Sequence, residues 1–222
     1  MNLHLLNERT RNIPVPPRMG HLPVAASGYI VPWFVSKLDD GTYDFRAFDW
    51  PKLKRAVQQK LCWLCGQSLG RRLAFTIGPM CIVNHVTSEP PSHRDCAEYA
   101  VRACPFLTQP RMRRNEVDLP EGAIEPAGMH LSRNPGAVAI YMTLGYRPFQ
   151  PDPRKAGLLF NLSEPLEVMF YREGRRATRA EVLESIDSGM PHLRRAAFAE
   201  GHAAVMQLER QYTDARKLLP AV

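Results

Sequence analysis

Apolar and polar positions divide this chain into a first part with the periodicity of short strands and a last part with the periodicity of helices. The run Tyr29-Ile30-Val31-Pro32-Trp33-Phe34-Val35 is β-branched and aromatic, and Asp39-Asp40-Gly41 is a turn signal. Tyr43-Asp44-Phe45-Arg46-Ala47-Phe48 then alternates apolar with polar, so residues 28–49 predict a β-hairpin. Pro32 lacks a ladder donor, which puts the first strand at an edge or on a bulge. Asp49 as a cap and Pro51 in the first turn predict a helix that carries Leu53, Ala56 and Val57 at helical spacing. Residues 73–77 and 81–86 read as two strands about a Gly78-Pro79 turn. Ser92 and Asp95 have the spacing of a capping box, opening a helix with Cys96, Ala97, Ala100 and Cys104 before Pro105.

Beyond that helix, residues 106–135 read as a long loop, 137–144 as a strand, 146–165 as a proline-rich loop and 166–171 as a further strand. The clearest periodicity follows. Thr178 and Glu181 form a second capping box, Val182, Leu183 and Ile186 share a face, and Ser188-Gly189 reads as the helix end. From Pro191, the positions Ala197, Gly201, Ala204, Val205, Leu208, Tyr212, Ala215 and Leu219 mark a second helix, read as facing the core, with a dimer seam as the other reading. The oligomeric state is left open.

The expected fold class is α+β, with antiparallel strands, a zinc module and a C-terminal helical hairpin. The expected organisation is an extended proline-rich arm over 1–28, a β-hairpin plus zinc module over 29–110, and an α+β region with the helix pair over 111–222. The last two are either separate or one continuous domain. The chain of 222 residues is long enough to bury a core without staples. Apolar residues at 45% and charged residues at 23% are ordinary globular usage, which excludes wholesale disorder. No apolar run is long enough to span a bilayer, and residues 1–12 lack an export h-region, so the expected location is the cytoplasm.

All five cysteines lie between Leu61 and Phe106, an odd count that favours metal ligation in a reducing compartment over a disulfide framework. Cys62-Trp63-Leu64-Cys65-Gly66 is a Cys-x2-Cys pair at a tight turn, and His93-Arg94-Asp95-Cys96 offers two more ligands three apart on a helix. Structural zinc takes four such ligands tetrahedrally. Cys62, Cys65, His93 and Cys96 are therefore the candidate zinc ligands, with Cys81 or Cys104 as substitutes for His93. The order knuckle, hairpin, helix resembles the treble-clef class of zinc fingers over residues 61–103. HNH-type nucleases share that arrangement, and His85 sits where their general base would be. It lies too close to His93, however, and no second Asn/His pair follows on the helix. The patterns of zinc deaminases, His-Glu-x-x-His proteases, phosphate loops and Gly-x-Ser-x-Gly hydrolases are absent from the sequence. The motifs Cys62-Trp63-Leu64-Cys65-Gly66, Gly78-Pro79-Met80, Glu89-Pro90-Pro91-Ser92-His93 and Cys104-Pro105-Phe106-Leu107 together resemble a group of unannotated bacterial and phage proteins. That resemblance implies no catalytic residues.

A net charge of +7 adds an anionic partner to the expectations. Arg71 and Arg72 follow the knuckle, Arg111, Arg113 and Arg114 follow the helix, and Arg172, Arg175, Arg176 and Arg179 crowd the second capping box. The leading expectation is a zinc-stabilised protein contacting nucleic acid through Arg71, Arg72, Arg111, Arg113 and Arg114. The alternatives are an enzyme with a pocket beside the zinc module, for which His85, Glu89 and His130 are the acid/base candidates, and a phage-type protein-interaction module.

Overall fold

The computed structural model describes residues 3–115, 117–119, 133–152, 154 and 157–221. It belongs to the α+β class, and its strand pairings are antiparallel. β1 (Val35–Lys37) and β2 (Tyr43–Phe48) form the expected hairpin. Its first strand begins only after Pro32, and the pairing slips between Val35 and Ser36, as a missing ladder donor dictates. α1 (Trp50–Gln59) starts as read: the Asp49 carboxylate accepts from the Lys52 N–H at 3.0 Å, and Pro51 lies in the first turn.

The central sheet departs from the local reading. β3 (Leu73–Ile77) pairs not with its sequence neighbour but with β5 (Val138–Thr143), which pairs in turn with β8 (Pro165–Arg172) and β8 with β9 (Arg175–Arg176). The expected strand over 81–86 is instead α2 (Pro79–Asn84), so the hairpin between knuckle and helix is not formed. Gly78-Pro79 is the cause, since proline at the first helical position has the required φ and needs no donor. β5 is buried along its whole length, which is why its run Val-Ala-Ile-Tyr-Met-Thr does not alternate. One face of this sheet, with Ala74, Ile140, Met142 and Met169, packs on Ala97 and Val101 of α3 (Arg94–Ala103). The other face, with Phe75, Tyr141 and Phe170, joins Phe160, Val182, Ile186 and Leu208 in the main core.

α4 (Pro105–Thr108) continues the chain past Cys104. The proline-rich stretch 146–165, expected as loop, holds β6 (Tyr146–Phe149) and β7 (Leu159–Leu162), which form a second sheet with β4 (Val86–Thr87) in the order β4, β7, β6. Pro148 is tolerated because β6 is the edge. The C-terminal pair is α5 (Arg179–Glu200) and α6 (His202–Ala215), opened by the predicted Thr178/Glu181 capping box. Their boundary is Gly201 rather than Ser188-Gly189. Gly189 serves close approach instead, for a Cβ there would lie 2.6 Å from Met80 Cγ of α2. The described part of the stretch expected as an extended arm, residues 3–28, turns back on itself through short 3-10 turns at Leu3–Leu5 and Pro17–Met19, and the Asn7 N–H donates to the Gly28 carbonyl at 3.1 Å. Among the described residues, no helix is long and apolar enough to cross a membrane.

Candidate metal centre

The knuckle is built by backbone before any side chain acts. Leu61 and Ser68 face each other in a bridge, the Cys62 N–H donates to Gln67 O at 2.8 Å, and the Gly66 N–H donates back to Cys62 O at 2.8 Å. Closing so small a loop requires a left-handed residue, and Gly66 has φ +73°. Trp33 covers that turn so closely that a Cβ on Gly66 would lie 2.6 Å from the indole ring. Between the cysteines, Trp63 is buried and stacks on Phe34 with centroids 4.7 Å apart. The loop is thereby fastened to Trp33 and Phe34, the segment that leads into β1.

The second ligand pair is positioned by the sheet. Ser92 exchanges backbone hydrogen bonds with Ala74 at 2.7 and 2.9 Å, so it extends the pairing of β3 instead of capping α3. His93 becomes the N-cap residue, and Asp95, expected in a capping box, takes an ion pair at 2.9 Å from Arg18 of the arm. This places the imidazole over the knuckle and Cys96 in the first turn of α3.

Cys62, Cys65, His93 and Cys96 thus converge, all buried, with their ligand atoms within 4.8 Å of one another. His93 Nδ1 lies 3.4 Å from Cys65 Sγ and 3.9 Å from Cys96 Sγ. A tetrahedral ion with bonds of about 2.0 to 2.3 Å places its ligand atoms roughly 3.5 to 3.8 Å apart, so the group is close enough to bind one. On the far side of the ring, His93 Nε2 is 3.0 Å from the Ser68 carbonyl, which can only accept. That contact fixes the proton on Nε2 and leaves the Nδ1 lone pair turned toward the thiols. Sequence reasoning missed this orienting group because it is a main-chain oxygen, and no side-chain pattern announces it. The N–H groups of Cys65 and His93 both point at Cys62 Sγ, each at 3.4 Å.

Crowding makes the thiols unequal. Hydrogen bonds from Cys65 and Cys96 hold the Cys62 thiol far below its ordinary range. The same sharing with Cys62 pushes Cys65 up to about 11 and raises Cys96 further, chiefly through Cys62 and then Cys65. The hydrogen bond to Cys62 also raises His93.

The other residues singled out from the sequence lie elsewhere. Cys81, on α2, and Cys104, between α3 and α4, stand outside the group of four; burial raises both thiols. His85 ends α2 with φ 56°, and its ring lies against Tyr141 with centroids 5.8 Å apart. Glu89 is exposed, yet desolvation by the protein atoms around its carboxyl raises it to about 7, opposed by the charge of Arg114. His130 falls outside the described residues. Arg71, Arg72, Arg111 and Arg113 are exposed. Arg114 is turned inward, donating to the Arg46 carbonyl at 2.8 Å. In the cluster near the second capping box, Arg172 is paired to Glu184 at 2.7 Å and Arg175 to Glu181, while the Arg176 guanidinium lies 5.2 Å from the centre of the Tyr171 ring and Arg179 donates to the Pro220 carbonyl at 3.0 Å. A surface cavity of about 320 Å³ beside α3 is lined by Arg72, Arg94, Met142, Leu166 and Glu167, and includes neither His85 nor Glu89. Comparison with known protein families, with characterised proteins and with solved structures gives no match.

Proposed function

We propose that this chain is a zinc-stabilised binding protein of a reducing compartment whose partner is nucleic acid. Zinc suits the donor set of three thiolates and one imidazole, a combination that soft and borderline ions favour and that magnesium and calcium do not. All four positions are filled by protein, so the ion's role is to hold the knuckle against α3, with no ligand place left for water.

The observation that carries the partner class is the contrast between two sets of arginines. Arg94, Arg172, Arg175 and Arg194 each lie within ion-pair distance of a glutamate. Arg71 and Arg72, on the loop leaving the knuckle, are exposed and have no carboxylate partner among the described residues. Arg111 and Arg113 are in the same position. Unpaired guanidinium groups on a rigid support bind phosphate bidentately.

Fluorescence anisotropy with labelled DNA and RNA at low salt tests the reading. Binding should weaken steeply as salt rises, because each neutralised phosphate releases counterions. Arg71→Ala with Arg72→Ala should reduce the salt slope by about one per residue. Undetectable binding of every nucleic acid at low salt would refute the proposal.

A further inference from the structure

The helix that delivers the chain to the knuckle has a composition that neither its fold nor the metal explains. α1 turns Leu53 and Ala56 into the core. Its opposite face carries Pro51, Lys54, Arg55, Gln58 and Gln59, all exposed, and Lys60 follows in a left-handed cap. At 3.6 residues per turn those five positions fall on one stripe, centred opposite Leu53 and Ala56. The helix contains no acidic residue, and Lys54, Arg55 and Lys60 have no carboxylate within ion-pair distance among the described residues; only Lys52 has one, Asp49 at 3.5 Å. A solvated helix is commonly laced with charges of both signs at i, i+4. This one is cationic and amide-bearing only.

Its cations are also held. The Arg55 guanidinium lies 5.7 Å from the centre of the Trp33 ring and the Lys54 ammonium 5.4 Å from that of Trp50. Trp33 rests on Gly66 of the metal knuckle, and Lys60 O accepts from the Leu69 N–H at 2.8 Å. The helix is therefore clamped to the zinc module at its middle and its end. Side chains fixed in this way lose less entropy on binding. Arg71 and Arg72 leave the same knuckle two and three residues after Leu69.

From this arrangement, and resting on the nucleic-acid reading above, we infer that α1 is a base-reading helix for the major groove of duplex DNA. Arg55, Gln58 and Gln59 face the base edges, and Lys54, Lys60, Arg71 and Arg72 contact the flanking phosphates. The major groove is about 12 Å wide and admits one α-helix. Arginine pairs bidentately with the O6 and N7 of guanine, and glutamine with the N6 and N7 of adenine. Single strands are held by stacking on exposed aromatic faces, whereas Trp33 and Trp50 are half-buried and already covered by cations.

The test uses the full chain with its metal. A duplex library with a randomised centre is selected on the protein, and the enriched site, a scrambled duplex and the single strands of both are compared by anisotropy. The inference expects a short enriched motif, preference for duplex over single strand, and an about ten- to hundredfold loss on the enriched site in Gln58→Ala with Gln59→Ala. Binding of that variant to the scrambled duplex should be unchanged. Equal circular dichroism and metal content in the variant keep the comparison free of unfolding. Binding without an enriched motif, a preference for single strands, or an unaffected variant would overturn the helix assignment and leave nucleic-acid binding standing. Loss of all binding in the unmodified protein would overturn both.

Discussion

Replacing Gly66 with alanine asks how rigidly the metal knuckle depends on its turn. Two costs apply, and they can be separated. An L-residue at φ +73° costs about 1 to 2 kcal/mol through its Cβ. The same Cβ would lie 2.6 Å from Trp33, well inside the contact distance of about 3.5 to 4.0 Å, so the indole must move. Overpacking of this kind adds roughly 1 to 3 kcal/mol, for an expected total of about 2 to 5 kcal/mol. Gly41→Ala is the control, since Gly41 has φ +85° but nothing within 4 Å of an added Cβ. It should show only the backbone cost. In thermal unfolding of the metal-loaded proteins, each kcal/mol lowers the midpoint by about 2 to 4 °C at this chain length. A competition assay with a chromogenic chelator should also find weaker metal retention in Gly66→Ala. Equal effects of the two alanines on unfolding, with unchanged metal retention, would refute the argument that Trp33 clamps the knuckle.

Other consequences are open to the same scrutiny. Chelation should release the arm first, because Leu6, Met19, Leu22 and Ile30 share their apolar cluster with Cys62, Cys65 and Cys96; trypsin should then cleave at Arg9, Arg11 and Arg18 well before the rest, and an unchanged digestion pattern would count against it. Thr178→Ala removes a cap in which the Thr178 hydroxyl accepts from Glu181 N at 3.3 Å and the Glu181 carboxylate accepts from Thr178 N at 2.8 Å; it should cost about 1 kcal/mol by denaturant titration. Glu89 provides a pH test. Its folded-state pKa of about 7 lies above the ordinary 4.5, so its protonation favours the folded state. The contribution is complete below pH 4.5 and lost as pH rises through 7, and solvent contact keeps it smaller than for an enclosed carboxyl. Glu89→Gln should flatten stability between those values, and an unaltered profile would contradict the shift.

What could be read in advance depended on how local each determinant is. The convergence of Cys62, Cys65, His93 and Cys96 was legible because Cys-x2-Cys-Gly and His-x2-Cys each orient two donors within a single turn. Both Asp49 and Thr178 were legible as caps for the same reason. α2 was not, because Gly78-Pro79 suits a reverse turn as well as a helix start, and the true partner of β3 comes from β5, far along the chain. Gly189 was misread as a helix end because its role, admitting Met80, exists only once α5 lies over α2. The prolines of 146–165 hid β6 and β7, since an edge strand accepts what a central one does not. Neutralisation of Arg172 and Arg175 had a sequence signal in Glu173, Glu181 and Glu184. So did Lys54 and Arg55 of α1 and Lys60 after it, since Asp49, the one acidic residue beside them in the chain, pairs with Lys52.

Metal analysis with X-ray absorption, on protein purified without added metal, tests the four-ligand zinc staple. About one zinc per chain is expected, with three sulfur ligands at about 2.3 Å and one nitrogen at about 2.0 Å, and its loss in Cys62→Ser and Cys96→Ser. A zinc-free wild-type protein, or full zinc content in both variants, would contradict it.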